Sequence, residues 1–207
     1  MKELLSRYSA LAACESDLLA ARELLLRCYT AGSKLLLCGN GGSCADCDHI
    51  VGELMKGFLK KRPLSAEQKA AMQARCPQLT EDTLSRLQAG LPAISLPAIT
   101  ALSTAFCNDA DPALVYAQSL LALAAPGDVL LAISTSGNAA NVRHAAQTAR
   151  GLGLLVIALT GASGGALREL ADVCIRVPET ETFKVQELHL PVYHWLCAAV
   201  ESHFFPV

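Results

Sequence analysis

The stretch that decides the fold is Lys34-Leu35-Leu36-Leu37-Cys38-Gly39-Asn40-Gly41-Gly42-Ser43. Further along, Asp128-Val129-Leu130-Leu131-Ala132-Ile133 followed by Ser134-Thr135-Ser136-Gly137-Asn138 repeats its layout. Each stretch is an apolar run typical of a buried strand, then a loop of glycine and hydroxyl residues, then a helical pattern. Such a loop presents backbone N–H groups, hydroxyls and a helix N-terminus to an anion. Two of them predict a phosphorylated small-molecule ligand.

The rest of the chain alternates strands and helices in the same way. Further strands are predicted at Pro92–Leu96, Leu154–Leu159 and Val173–Val177, all short apolar runs of the kind found in buried parallel strands. Strands that alternate with helices indicate an α/β fold, a parallel sheet covered on both faces, with ligands bound at the carboxyl ends of strands. The predicted helices are 44–58 with Ser43 as N-cap, 98–106, 112–124, 138–151, 164–170 and 182–204.

We expect residues 1–207 to form one domain. Residues 1–32 read as an N-terminal helical region, because leucines recur there at helical spacing. Residues 59–92 read as a helical excursion or lid, in which Ser65 and Gln68 fit a capping box. The glycine pattern is neither Gly-x-Gly-x-x-Gly nor a Walker A loop, so it gives little support to a dinucleotide or nucleoside triphosphate site.

Composition excludes several classes of protein. Apolar residues make up 52% and charged residues 17% of the chain, so disorder is not expected. The low charge and a mean hydropathy of +0.35 suggest apolar surface buried between subunits. A net charge of −2 gives no basic footprint for nucleic acid. The absence of a long apolar run or a signal-peptide pattern predicts a cytoplasmic protein without a membrane span.

The nine cysteines include a Cys-x-x-Cys pair, Cys44 and Cys47. Such a pair can be redox-active or half of a zinc site, but no second pair at comparable spacing accompanies it. We therefore interpret Cys44 and Cys47 as small packing residues on a helix.

Candidate chemistry lies on two predicted helices. His49 and Glu53 are four residues apart and share one helical face, which suits a metal pair or a base beside an imidazole, but also a helix-surface pair without function. The terminal helix carries Gln186 and His194, about 12 Å apart along a regular helix. One ion could collect both only if the helix bends, as Pro191 predicts, or if two subunits contribute.

At this point the chain resembles the sugar isomerase (SIS) domain proteins and, within them, the phosphoheptose isomerases. The resemblance covers roughly residues 30–58 and 90–205. It rests on motifs that are weak singly and specific together, namely Cys-Gly-Asn-Gly-Gly-Ser at 38–43, His49-x-x-x-Glu53, Asn108-Asp109, Ile-Ser-Thr-Ser-Gly-Asn at 133–138, Leu-Thr-Gly at 159–161, and Val-Gln-Glu-x-His at 185–189 with His194.

The resemblance implies a three-layer α/β/α domain with a flavodoxin-like parallel sheet and N-terminal helices, assembled as a homotetramer with sites at subunit interfaces. It implies isomerisation of sedoheptulose 7-phosphate to D-glycero-D-manno-heptose 7-phosphate through an enediol. It implies that substrate is bound by Asn40, Gly41, Gly42, Ser43, Glu53, Asn108, Asp109, Ser134, Thr135, Ser136 and Gln186. It also implies a zinc ion held by His49, Glu53, Gln186 and His194, with Glu53 as base and His194 as acid.

Other interpretations stay open. The chain could be a non-catalytic SIS module that senses a sugar phosphate or acts as an adaptor, but that role does not need His49, Glu53 and His194 together. It could also be an isomerase of another sugar phosphate, such as a pentose 5-phosphate. Ala139 stands where many relatives have serine, Phe183 stands where an acidic residue is expected, and 59–92 is long.

Overall fold

The computed structural model describes residues 1–206, and its centre is a sheet of five parallel strands. The strand order is β2-β1-β3-β4-β5, which is the order of flavodoxin-type sheets. The α/β prediction and the flavodoxin-like sheet are therefore confirmed. The strands are β1 (Leu35–Cys38), β2 (Ala93–Ser95), β3 (Val129–Ile133), β4 (Leu155–Thr160) and β5 (Val173–Arg176).

Helices cover both faces of the sheet, which gives the expected three layers. Alternate strand residues point to opposite faces. Leu35 and Leu37 belong to one buried cluster, together with residues of the N-terminal and C-terminal helices. Leu36 and Cys38 belong to a second cluster on the other face. Because every residue of β1 is buried, its continuous apolar run is explained by burial on both sides.

The described residues contain ten α-helices. The first sheet face is packed by α1 (Lys2–Arg7), α2 (Glu15–Thr30), α3 (Gly42–Met55) and α10 (Thr182–Phe204). The others are α4 (Ala66–Arg75), α5 (Glu81–Arg86), α6 (Thr100–Asp109), α7 (Val115–Leu123), α8 (Ala140–Gly151) and α9 (Leu167–Leu170). Short 3₁₀ turns occur at Ser9–Cys14, Leu96–Ala98 and Pro112–Leu114.

The predicted N-cap of α3 was wrong. The cap is Gly41 and not Ser43, and the helix runs over Gly42–Met55 in place of 44–58. Gly41 has φ 55°, a conformation that glycine adopts easily and that turns the chain into the helix two residues early. Ser43 therefore lies in the first turn, where it is buried. Its N–H donates to the carbonyl of Asn40.

The 59–92 excursion consists of α4 and α5, and its predicted capping box is confirmed. The N–H of Gln68 donates to Ser65 Oγ at 3.1 Å, and the N–H of Ser65 donates to Gln68 Oε1 at 2.9 Å. α4 buries no residue, whereas α5 buries Leu84 completely. The excursion is therefore a surface element fixed to the domain at a few points.

Within residues 1–206, no helix has both the length and the apolar character that crossing a membrane requires.

Candidate functional site

The two glycine-containing loops meet at one edge of the sheet. β1 and β3 are neighbours in parallel register, with Cys38 opposite Ala132, so the loops after them leave the sheet side by side. This is the point where the strand order reverses, and ligands bind there in open α/β sheets. A cavity of about 330 Å³ opens between the loops, lined by Asn40, Gly41, Gly42, Ser43, Ile133, Ser134, Thr135, Ser136, Ala139, Thr182 and Gln186.

Close backbone approach explains the glycines in these loops. A Cβ on Gly39 would lie 2.8 Å from the carbonyl oxygen of Ser43. Gly137 has φ 68°, and a Cβ there would lie 2.0 Å from the carbonyl oxygen of Gly164. Because real Cβ atoms do not come this close to backbone, a side chain at either position would displace the loop. The cavity wall is therefore mostly backbone and small side chains.

Asn40 holds the two loops together. Its side chain exchanges two hydrogen bonds with Asn141 in the first turn of α8, at 2.8 and 2.9 Å. The Tyr116 hydroxyl donates to the carbonyl of Gly39 at 2.8 Å and lies 3.1 Å from Asn40 Oδ1. No local sequence pattern indicates Asn141 or Tyr116, because their partners are distant in the chain.

Gln186 belongs to the cavity. A Cβ on Gly42 would lie 2.5 Å from Gln186 Nε2, so this carboxamide packs directly against the first residue of α3. Thr182, one turn earlier on α10, also lines the cavity, and it was not selected from the sequence. Ala139 also lines the cavity. Phe183, the residue after Thr182, is 56% exposed.

A second cluster forms where α3 and α10 pack together. His49 Nε2 lies 3.2 Å from Glu53 Oε1 and 3.5 Å from His194 Nε2. One donor atom from each of these residues lies within 4.8 Å of the others. The predicted pairing of His49 with Glu53 and His194 is thus brought about by helix packing. We call these three residues the triad.

The triad has the donor chemistry of a metal site. Imidazole nitrogens and a carboxylate oxygen are common zinc ligands. Glu53 Oε2 is buried and has no hydrogen-bond partner within residues 1–206, which is costly unless a cation or proton occupies that side. Burial lowers the pKa of His194, His49 nearby lowers it further, and Glu53 opposes both, so the His194 imidazole favours the neutral form that binds metals.

A tyrosine and a phenylalanine contact the triad from behind. The Tyr193 hydroxyl lies 3.0 Å from His49 Nδ1 and donates to Asp46 Oδ1 at 3.2 Å. Phe58 packs against the His194 ring, with 5.6 Å between the centroids. Asp46 lies on the same face of α3 as His49 and Glu53, and this helical spacing is the sequence signal that could have identified it.

Three predicted residues lie away from the triad within this chain. α10 continues through Pro191 without a break, which leaves Gln186 about two turns from His194. Asn108 and Asp109 end α6, where both are exposed and Asn108 Nδ2 donates to Asp109 Oδ1 at 2.8 Å. Neither residue lines the cavity.

The cysteines form no disulfide among the described residues. Cys47 is completely buried and Cys44 is partly buried. Burial raises the pKa of both thiols, with a further contribution from neighbouring acidic groups, so the reactive thiolate is disfavoured. These observations agree with the packing interpretation.

The sheet is of the flavodoxin type, its switch point holds a cavity suited to an anion, and a His/Glu/His triad lies on the helices beside it. These features define a parallel α/β protein of the sugar-phosphate-binding class. Residues 85–161 match the SIS domain family. The chain is 41% identical to a phosphoheptose isomerase of Thiobacillus denitrificans, an alignment that covers 90% of this chain and 86% of that protein. It is 38% identical to one from Rhodospirillum rubrum, over 91% and 87%. The structure of phosphoheptose isomerase GmhA from Neisseria gonorrhoeae superimposes with a TM-score of 0.76 at 32% identity, over 97% and 94%. The chain belongs to the phosphoheptose isomerase family.

Proposed function

We propose that this protein interconverts sedoheptulose 7-phosphate and D-glycero-D-manno-heptose 7-phosphate through an enediol. The observation that carries the proposal is the combination of the cavity with the triad in a chain of this family. A phosphate-binding module alone would need the cavity. Isomerisation also needs a base, an acid and a group that stabilises charge on the substrate oxygens.

The cavity residues would bind the phosphate of the sugar. Ser43, Ser134, Thr135 and Ser136 offer hydroxyl and backbone donors, and the N-terminus of α3 adds its positive dipole end. Asn40 shapes the cavity through its bonds to Asn141, and Gln186 closes one side. In this proposal Asn108 and Asp109 bind sugar hydroxyls beyond the cavity.

The triad residues would move the protons. Glu53 is the base that takes a proton from one of two adjacent sugar carbons, and His194 is the acid that serves the oxygens. The two oxygens of Glu53 have different surroundings, since Oε1 faces His49 and Oε2 has no partner among the residues that the structure describes. One oxygen can therefore face a cation while the other accepts a proton, which eases the conflict between these two roles.

The metal proposed for the triad is zinc. His49, Glu53 and His194 would hold it, and Gln186 of a second copy of the chain would complete the set. When bound, zinc would polarise the substrate carbonyl as a Lewis acid.

Assembly into a homotetramer with sites between subunits belongs to the same proposal. α6 buries none of its residues, and a groove of about 650 Å³ between α1 and α10 includes His194 and the exposed Leu59 and Leu190. Such apolar surface next to a candidate site is typical of an interface between subunits. A second copy there could bring a cavity close to the triad of the first.

The experiment is to incubate the protein with sedoheptulose 7-phosphate, with and without zinc, and to follow the aldose product by NMR. We expect zinc-dependent formation of the aldoheptose phosphate. A parallel incubation with pentose 5-phosphates tests the open alternative raised by Ala139 and Phe183. Binding of the heptose phosphate without any product would contradict the proposal and favour a sensing module.

Mixing two inactive variants tests whether the site lies between subunits. Glu53→Gln keeps the cavity, and Gly42→Val keeps the triad. Random exchange of subunits would restore roughly a quarter of the sites if each site takes its cavity and its triad from different copies. A mixture that stays inactive, although mass spectrometry detects hybrid tetramers, would place both parts in one subunit.

A further inference from the structure

A row of three polar groups leads from the interior to the triad. Asp46 Oδ1, the Tyr193 hydroxyl and His49 Nδ1 follow one another at 3.2 and 3.0 Å. The other ring nitrogen of His49 faces Glu53 and His194. The row therefore connects a carboxylate on α3, through a tyrosine on α10, to the back of a candidate metal ligand.

Counting the protons in this row fixes their order. An ionised carboxylate only accepts hydrogen bonds, and a tyrosine hydroxyl has one proton to donate. Tyr193 therefore donates to Asp46, and its oxygen accepts a bond from His49 Nδ1–H. A neutral imidazole with its proton on Nδ1 has its lone pair on Nε2.

The opposite arrangement leaves buried acceptors without donors. If His49 had its proton on Nε2, Nδ1 would need the Tyr193 proton, and Asp46 Oδ1 would lose it. Asp46 Oδ2 is already buried without a partner within the described part of the chain, so the carboxylate would then have none from this row. The Nδ1 tautomer instead places the Nε2 lone pair beside Glu53 Oε1, which a cation at the triad would compensate, whereas no described group compensates the loss at Asp46.

We propose that Asp46 and Tyr193 are positioning residues that fix the tautomer of His49 and aim its Nε2 lone pair at the metal position of the triad. This inference rests on the metal site proposed above. It assigns to two residues outside the proposed ligand set the task of preparing one ligand before the ion arrives. Partners of this kind behind a ligating histidine commonly tune metal affinity.

The surroundings of Tyr193 suit this task. Its side chain is only 2% exposed, which holds the hydroxyl in one place. The hydroxyl lies between Asp46 Oδ1 and His49 Nδ1, so both groups depend on it for this hydrogen bond. Removing the hydroxyl would thus disturb both neighbours.

The test compares the affinity for Co²⁺, a spectroscopic substitute for zinc, among the wild type, Tyr193→Phe and Tyr29→Phe. Tyr29 is a matched control, because it is also buried and its hydroxyl has no partner in the described residues. We expect Tyr193→Phe to weaken Co²⁺ binding by about 10- to 100-fold. Tyr29→Phe should bind like the wild type, and inorganic phosphate binding at the cavity should be equal in all three.

Asp46 provides a second and gentler variant. Asp46→Asn keeps an oxygen that can accept from Tyr193, whereas Asp46→Leu removes it. We expect Asn to retain more of the Co²⁺ affinity than Leu, and Tyr193→Phe combined with Asp46→Leu to be little worse than either change alone. In the Co²⁺ protein, the shifted proton signal of His49 Nδ1–H should be visible in the wild type and lost by exchange in Tyr193→Phe.

The outcomes separate this inference from the function on which it rests. If the wild type binds no Co²⁺, the metal site itself is wrong and the inference fails with it. If the wild type binds Co²⁺ and Tyr193→Phe binds equally well with an unchanged proton signal, the metal site stands and the positioning role is refuted.

Discussion

α10 contributes side chains to two differently built parts of the candidate site. Near Thr182 and Gln186 lies the cavity, made mainly of backbone and small side chains at the ends of β1 and β3. About two turns later, His194 meets His49 and Glu53 in a cluster of long side chains from two helices. The cavity depends on the sheet and the triad depends on helix packing. The two parts should therefore fail separately.

The largest separation is expected from Glu53→Gln. Removing a general base lowers turnover by about 10²- to 10⁴-fold, while the cavity has no contact with this side chain. The variant should therefore lose isomerase turnover and keep its affinity for phosphate. Glu187→Gln, an exposed change on α10, is the control and should leave both unchanged. Near-full turnover of Glu53→Gln would remove Glu53 from the chemistry.

Arg62→Met should break the packing behind the triad. Arg62 and Glu201 form a fully buried ion pair at 2.8 Å, and Arg62 also donates to the carbonyls of Leu54 and Glu53 at the end of α3. Without Arg62, the Glu201 carboxylate is left buried and lacks its cation. We expect urea unfolding to report a loss of about 3–5 kcal/mol.

The double variant Arg62→Met with Glu201→Leu sharpens this prediction. Burial would raise the pKa of Glu201, but the N–H groups of Phe58 and Leu59 and the Arg62 guanidinium outweigh it and lower the pKa. Removing both charges should therefore recover much of the lost stability. Equal stability of the single variant and the wild type would mean that this ion pair does not hold α3 against α10.

His189 lies on α10 between the two parts and should make stability depend on pH. Its ring is completely buried and makes no well-formed hydrogen bond within the described residues. Burial lowers its pKa to about 4, although the backbone of Thr160 opposes the shift. The unfolded chain therefore binds this proton more readily than the folded one. Stability should fall as pH drops from about 6.5 towards 4, by up to about 3 kcal/mol from this residue.

Urea titrations at several pH values would measure that loss. His189→Leu should lose less stability than the wild type as the pH drops, because the group that gains the proton on unfolding is gone. His203→Leu changes an exposed histidine, so it should leave the pH dependence of stability as in the wild type. An unchanged pH dependence in His189→Leu would assign the acid sensitivity to other groups.

The smallest effect should come from Gly42→Ala, and it should fall on the cavity through Gln186. The new Cβ would meet the movable end of Gln186, so Gln186 shifts while the backbone stays. We expect phosphate binding to weaken by about 1–2 kcal/mol, or roughly tenfold, with an unchanged free energy of unfolding. Gly52→Ala, on the same helix with nothing within 4 Å of the new Cβ, should not weaken phosphate binding. Phosphate binding equal to that of the wild type in Gly42→Ala would contradict the prediction.

The comparison also explains what the sequence could predict. The two apolar runs quoted from the sequence contain β1 and β3, because buried parallel strands are uninterrupted apolar runs and the loops after them are local patterns. The edge of the sheet that carries the site then follows from the order of the strands, as the alternation of strands and helices suggested. The family resemblance selected the triad residues correctly as a converging group.

The other features of the fold and site depend on contacts between distant residues, which no local sequence pattern encodes. Ser43 looks like an N-cap, but the positive φ of Gly41 starts α3 earlier. Tyr193 and Asp46 are 147 positions apart in the chain, and their hydrogen bond exists only because α10 packs on α3. Asn40 and Asn141 are likewise brought together by the pairing of β1 with β3.

The most direct measurement is proton exchange on sedoheptulose 7-phosphate in deuterated water, followed by NMR while zinc is titrated into metal-free protein. An enediol formed by the triad lets deuterium enter at the carbon that Glu53 deprotonates, because the proton held by Glu53 exchanges with the solvent. The account predicts that exchange rises with added zinc and stops rising at one ion per chain. Exchange that is absent at full zinc occupancy, or equally fast without zinc, would contradict it.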